Sequence, residues 1–187
     1  MPYTALLDAN VLVPYTVTDV LLRLAEAGFY RVLWSSEILD ETVRTLLRVH
    51  PDIPASTLRS RVVRMGDFFP DATVTGWEPL LDVIVVPDAG DRHVVAAAIV
   101  GGADTIVTAN LADFPAAVLD SFDLVAVHPD DFLLDQWDLD PTLTDQVLQE
   151  IVEDRNRPSV TRAEVLAQLE RGGCPRFAAC ARAGGPT

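Results

Sequence analysis

The chain has 187 residues, 49% of them hydrophobic, with 14 basic side chains against 28 acidic ones and a formal net charge of -14. That length and apolar content supply the core of one full domain plus a modest extension. The charge excludes broad electrostatic adhesion to nucleic acid, which draws on many phosphate contacts to cationic groups, and leaves room only for a local basic patch.

Every basic residue is Arg and the sequence contains no Lys, which removes the Walker A phosphate loop, Schiff-base chemistry and Ser-Lys hydrolysis. Cys174 and Cys180 are the two cysteines; with no second pair they complete no zinc site and are expected to be reduced and structural. No apolar run approaches the roughly 20 residues of a membrane span. The N-terminus also lacks the basic-then-apolar order of a signal peptide, so a cytoplasmic protein without membrane partners is expected.

Short apolar runs follow one another along the chain: TALL after Tyr3, RVLW from Arg31, VIVV from Val83, TIVT from Thr105 and LVAV from Leu124. Between them the pattern predicts helices over Val17 to Gly28, Glu37 to Arg48, Ala55 to Phe69 and Arg92 to Gly101, the middle pair punctuated by Pro51, Pro54 and Pro70. Buried strands alternating with amphipathic helices predict an α/β fold with a parallel sheet covered on both faces.

Past His128 the texture changes to DDFLLDQWDLDP, read as an acidic connection to a helical tail. Helices are expected near Thr142 to Asp154, Arg162 to Arg171 and Pro175 to Ala183. Asp140 with Pro141 suits an N-cap and first helical position, and Thr161 with Glu164 has the capping-box spacing.

Each predicted strand ends in polar residues: Asp8 and Asn10, Ser35 and Ser36, Asp88, Asn110, His128. In open parallel α/β sheets ligands bind beyond the carboxyl ends of the strands. Asp8 follows a buried run, where an ionised carboxylate needs a wet edge, a capping role or a cation.

Glu41 lies at the border of the apolar arc of SSEILDETVRTLLRVH, a helix that Ser36 is expected to cap, whereas Glu37 sits mid-face; alone, Glu41 reads as a surface pair with Arg44. Asp91, Asp88 and Asp113 each have a capping or turn reading of their own. Their convergence on one rim argues otherwise, because carboxylates within about 4 to 6 Å repel unless a cation neutralises them. Oxygen ligands without Cys or His select a hard ion such as Mg²⁺ or Mn²⁺.

Four stretches in order, LLDANVL, the Ser36 to Glu41 helix start, PDAGDRHVVAAAIVGGAD and IVTANLADFP, resemble the PIN-domain nucleases, and within them the VapC-like ribonuclease toxins of toxin-antitoxin pairs. The resemblance covers about Tyr3 to Val127. It implies a three-layer α/β/α PIN-like domain over residues 1–128, followed by a helical C-terminal extension over 129–187.

It implies Asp8, Glu41, Asp91 and Asp113 as the catalytic and metal-holding acids, with Asn10, Ser36, Thr108 and Asn110 orienting them. Where many members carry an acid this chain has Asn110, and the acid stands three residues on, at Asp113. The implied activity is metal-dependent endoribonuclease cleavage of RNA using Mg²⁺ or Mn²⁺, by a homodimer held inactive by a cognate antitoxin. The alternative is a non-catalytic PIN-fold module that binds RNA or a protein partner.

Arg44, Arg48, Arg59, Arg61 and Arg64 are the candidate RNA contacts, against an equal reading as a solvated face or a dimer contact. Arg155, Arg157, Arg162 and Arg171 in the tail offer further positive charge. The haloacid-dehalogenase-like phosphatases also place Asp after a first strand. They need a second Asp two residues on and a Lys, where this chain has Asn10 and no Lys; response-regulator receivers fail on the Lys as well.

Overall fold

The computed structural model of the chain describes residues 3–184. In chain order the main elements are β1 (Thr4–Leu7), α1 (Ala9–Leu12), α2 (Tyr15–Glu26), β2 (Arg31–Ser35), α3 (Ser36–Val49), α4 (Ala55–Phe68) and β3 (Thr73–Val74). They continue with α5 (Arg92–Gly101), β4 (Thr105–Val107), α6 (Ala116–Leu119), β5 (Val125–Val127), α7 (Pro129–Leu139), α8 (Pro141–Asp154), α9 (Arg162–Arg171) and α10 (Pro175–Ala183). Two compact units divide them: one takes the chain up to Val13 with Tyr30–Val127, the other Pro14–Phe29 with the residues from His128 onward.

The first unit is built on a five-stranded sheet in the order β3-β2-β1-β4-β5, parallel throughout. Leu6 of β1 is in register with Leu33 of β2 and with Ile106 of β4. Every residue of β1 and β4 is buried, so both faces of the sheet centre are covered, the reason these strands read as unbroken apolar runs. From β1 through β3 the chain steps one way across the sheet, then returns past β1 to β4 and β5. Right-handed crossovers therefore lay α3 and α4 over one face and α5 and α6 over the other, completing three α/β/α layers.

Close packing on the α5 side depends on small residues. Ala96, Ala97 and Ala98 are fully buried, and a Cβ added at Gly101 would lie 2.6 Å from Leu33 Cδ1 and 2.9 Å from Val74 Cγ2.

The expected strand at VIVV does not form. Val83 to Val86 alternate exposed and buried, as a half-buried strand would, yet the place beside β2 belongs to Thr73–Val74, with Trp34 opposite Thr73 and Ser35 opposite Val74. Alternation reports one buried face, not a ladder partner.

The second unit is helical: α2 packs with α7, α8 and α9, and α10 with α7 and α9. Its core holds Trp137 and Phe177, rings 6.2 Å apart and edge-to-face, with Leu133, Leu148, Ile151 and Leu169. The acidic connection is itself a helix, a correction to the sequence reading. Pro129 occupies the first helical turn, His128 Nδ1 accepts from the Asp130 amide at 3.2 Å, and Phe132, Leu133, Gln136 and Trp137 make the buried stripe. Acids in its first turn suit the positive end of the helix dipole, so charge there is no sign of a loop.

Both expected caps in the tail are present: Asp140 Oδ1 accepts from the Leu143 amide at 2.9 Å, and Thr161 and Glu164 form the capping box. Arg155 joins α8 to α2, donating to Asp19 at 2.7 Å and lying 4.7 Å over the Tyr15 ring. Cys174 and Cys180 are free thiols buried in this unit, and burial pushes the Cys174 thiol up to about 12, which makes it inert. Among the described residues no helix is long and apolar enough to cross a membrane.

Candidate active site

The sheet order fixes where a ligand can sit. The chain leaves β1 toward β2 and leaves β4 toward β5, so a crevice opens beyond the carboxyl ends of these two adjacent strands. Asp8 follows β1 and Thr108 follows β4, and the ladder continues into them through Asp8 N–H to Val107 O at 3.1 Å and Thr108 N–H to Val127 O at 3.0 Å.

Asp8 is 5% exposed and Thr108 fully buried. The Thr108 hydroxyl uses its whole bonding capacity: it donates to Asp8 Oδ2 at 2.7 Å and accepts from Asn10 Nδ2 at 2.9 Å and from the Asn110 amide at 3.1 Å. Asn10 straps the two strand ends together, donating also to Asp8 Oδ2 at 2.6 Å while its Oδ1 accepts from the Ala109 amide at 2.9 Å. Asp8 Oδ1 accepts from Ala9 N–H at 2.7 Å, the cap of α1. Burial raises the Asp8 carboxyl, the Thr108 and Ala9 bonds pull it back, and the charge of Glu41 raises it again.

Asp91 ends the single 3-10 turn Ala89–Asp91 that enters α5, a turn capped by Asp88, whose Oδ1 accepts from Gly90 N–H at 2.8 Å. Asp91 stands at the head of α5 but makes no side-chain cap bond, so its carboxylate is left for other work. It is pushed up to about 7, first by loss of water, then by the charges of Asp8, Asp113 and Asp88, with a hydrogen bond to Asp113 favouring its protonated form. Asp113 closes the turn Leu111–Asp113 and receives a short contact from Asn110 Nδ2. Asp8 and Asp113, from two other segments, thus both act on Asp91.

Glu41 is half-buried on α3. Its Oε2 lies 3.4 Å from His93 Nε2 and its Oε1 3.8 Å from Arg44, whose tighter partner is Glu37 at 2.8 Å. The expected Glu41 to Arg44 surface pair is therefore the weaker of two, and Glu37 is tied to Arg44 instead of standing free. Among the described residues no three His, Cys, Asp or Glu side chains converge closely enough to hold an ion as they stand; Asp8 is held by Thr108 and Asn10, Asp113 by Asn110, and Glu41 lies beside His93. The donor set is nonetheless that of a hard-cation site: carboxylate oxygens, close enough that Asp8, Asp113 and Asp88 raise Asp91 and Glu41 raises Asp8.

Two residues, Ser36 and Arg61, are placed differently from the sequence reading. Ser35, not Ser36, caps α3, its Oγ accepting from the Ile38 amide at 3.2 Å, because β2 runs extended through Ser35 and the helix begins one residue later. Ser36 is exposed. Arg61 is drawn inward, donating to Val13 O at 3.2 Å and Leu12 O at 2.8 Å, where it satisfies carbonyls at the end of α1. Arg48, Arg59 and Arg64 are exposed, and Glu41, Arg44, Thr45 and Arg48 line one shallow depression on α3.

His93 was not singled out by its sequence context. Its one signal is a titratable side chain two residues after Asp91, in a helix that beyond Arg92 is otherwise made of small and branched apolar residues.

A family model described as "PIN domain" matches residues 4–112, and one described as "VapC50 C-terminal domain" matches residues 129–183. "Putative ribonuclease VapC50" of Mycobacterium tuberculosis (strain ATCC 25618 / H37Rv) is 45% identical over 92 residues, 49% of this chain and 54% of that protein. The chain thus spans about half the length of the curated relative it matches. No solved structure matches it.

Proposed function

The chain belongs to the PIN-domain family, and from that premise we propose that it is a Mg²⁺- or Mn²⁺-dependent endoribonuclease, the toxin of a toxin-antitoxin pair acting in the cytoplasm as a homodimer. The observation that carries this reading is the Asp91 carboxyl pushed up to about 7 by burial and by Asp8, Asp113 and Asp88. A protein gains no stability from crowding these acids, whereas a divalent cation converts the repulsion into affinity.

Asp8 and Asp91 would hold the ion, with Glu41 and Asp113 holding a second ion or the attacking water. When bound, such an ion lowers the pKa of water and shields phosphate charge. The protein's own part is orientation. Thr108 and Asn10 fix Asp8 Oδ2 from two sides, and Asn110 steers Asp113. Placement contributes most of what a protein can add to phosphoryl transfer, since the nucleophile is water and no covalent residue is needed.

The RNA backbone would approach along α3, where Arg44 and Arg48 share the depression with Glu41; exposed Arg59 and Arg64 would add local positive charge to a strongly acidic chain. A basic antitoxin segment would find the same acidic rim attractive.

The deciding experiment is incubation of the full chain with a panel of structured RNAs, with Mn²⁺ and with EDTA. Cleavage in Mn²⁺ alone, lost in Asp8→Asn and Asp91→Asn, is the expected result. RNA bound but uncut by the wild type under all conditions would overturn it in favour of a non-catalytic binding module.

A further inference from the structure

His93 stands in the first turn of α5 with 7% of its surface exposed. Its ring lies 5.9 Å from the Trp77 ring at 51°, and neither ring nitrogen has a hydrogen-bond partner at normal bonding distance. A buried polar ring left in that state costs free energy, and an apolar ring of the same size would pack on Trp77 without the cost. The nearest group that uses its polarity is Glu41, whose Oε2 is 3.4 Å from Nε2.

Glu41 has little else to hold it. Arg44 on its outer side is exposed, 3.8 Å away and already bonded to Glu37 at 2.8 Å. From the inner side, His93 comes from α5, the helix that opens directly after Asp91. The start of α5 thus has an acid of the rim at its N-cap and, two residues on, the group beside a second acid delivered by α3.

We propose that His93 is a positioning residue for the site: its Nε2–H donates to Glu41 Oε2 and fixes that carboxylate toward the rim formed by Asp8, Asp91 and Asp113. At 3.4 Å the contact is longer than a tight hydrogen bond and comes within bonding reach on a small shift of either side chain. Either protonation state serves, because the neutral Nε2–H tautomer already carries the donor. This inference rests on the metal-nuclease reading above and adds to it a residue that touches neither substrate nor ion.

The test uses the full chain with His93→Phe, which keeps a ring against Trp77 but removes the donor, and His93→Gln, which restores an amide donor at similar reach. Outer groups that orient ligands typically contribute 10- to 100-fold to metal affinity. His93→Phe should therefore weaken Mn²⁺ binding measured by calorimetry about 10-fold or more, lower RNA cleavage in parallel, and leave Tm in EDTA within a few degrees. His93→Gln should recover most of both losses.

A purely structural histidine would lower Tm in both variants and leave the Mn²⁺ dissociation constant of the folded protein unchanged; that outcome, or wild-type affinity in His93→Phe, overturns the proposal. Should His93→Phe fail to fold, nitrogen NMR of the metal-free wild type decides. The His93 Nε2 shift should move on Glu41→Gln, and an unmoved shift sinks the contact. A wild type that neither binds Mn²⁺ nor cuts RNA defeats the nuclease reading itself, while the Nε2 shift still decides the His93 to Glu41 contact separately.

Discussion

Thr108 Oγ1 donates to Asp8 Oδ2 at 2.7 Å across a gap of 100 residues in sequence, joining the ends of two adjacent strands at the point where the sheet reverses its order. A buried carboxylate survives there because the hydroxyl, the Asn10 amide and the Ala9 N–H share its charge. The bond is therefore both a fold contact and a site contact.

Replacing Thr108 with Val keeps the shape and deletes the donor. A hydrogen bond to a charged group contributes about 1.5 to 3 kcal/mol, so Thr108→Val should lose that much in urea unfolding and cut RNA more slowly. Thr108→Ser keeps the hydroxyl and should cost only about 0.8 kcal/mol, the burial of one methyl. Equal losses in the two variants would show that the methyl, not the bond, matters.

Asp91 sets a pH dependence whose sign follows from its raised carboxyl. It titrates from about 7 in the folded state, against 3.8 as its ordinary value, so the folded chain holds the proton more tightly than the unfolded chain. Stability from this group is full below about pH 4 and is lost as pH rises toward 7. Denaturant titrations in EDTA should show that downward trend, and Asp91→Asn should flatten it. Mn²⁺ must displace the same proton, so its affinity should rise with pH and level off above about 7. An affinity independent of pH between 5 and 7 would remove Asp91 from the ion's ligands.

In the helical unit, Asp130 is 4% exposed and accepts from Phe177 N–H at 2.8 Å and Arg176 N–H at 3.0 Å, at the start of α10. Asp130→Ala strands two donors, one of them on a buried residue, and should cost about 2 to 4 kcal/mol in equilibrium unfolding. Asp131→Ala, which removes an exposed pair with Arg176, should cost less than about 1 kcal/mol. Similar losses at both positions would contradict the capping account.

The elements legible from sequence were those whose physics is local. β1, β2, β4 and β5 lie in apolar runs cut off by polar residues, and the caps at Asp140 and Thr161 depend on neighbours three residues away. β3 was not legible: two residues, Thr73 and Val74, have no period, and their pairing with β2 is decided by tertiary contact. The more strand-like Val83 to Val86 lost to them for the same reason. α7 was hidden because acids in a first turn look like loop chemistry until the buried stripe ending at Trp137 is counted. At the site, acids after strand ends advertise themselves. The contact of His93 with Glu41 joins α5 to α3, and no spacing within one segment encodes it.

Asp8→Asn tests the site against the fold. Burial raises the Asp8 carboxyl, so the metal-free chain sheds a strained charge when Asn replaces it, while the Asn NH2 must face donors that now bond a carboxylate oxygen. The two effects oppose, and stability near neutral pH should change little. By the same sign rule as for Asp91, the wild type should gain on the variant as pH falls. In saturating Mn²⁺ the two should separate. At a free ion concentration of about 100 times its dissociation constant, the wild type gains roughly 2.7 kcal/mol by mass action, whereas Asp8→Asn, with a ligand charge removed, should gain far less. RNA cleavage should disappear in the variant, and Glu37→Gln, on the outer face of α3, should change neither reading. If Asp8→Asn instead lowers the melting temperature in EDTA while its folded fraction cuts RNA at the wild-type rate, the carboxylate after β1 is there only to cap α1 and tie β1 to β4.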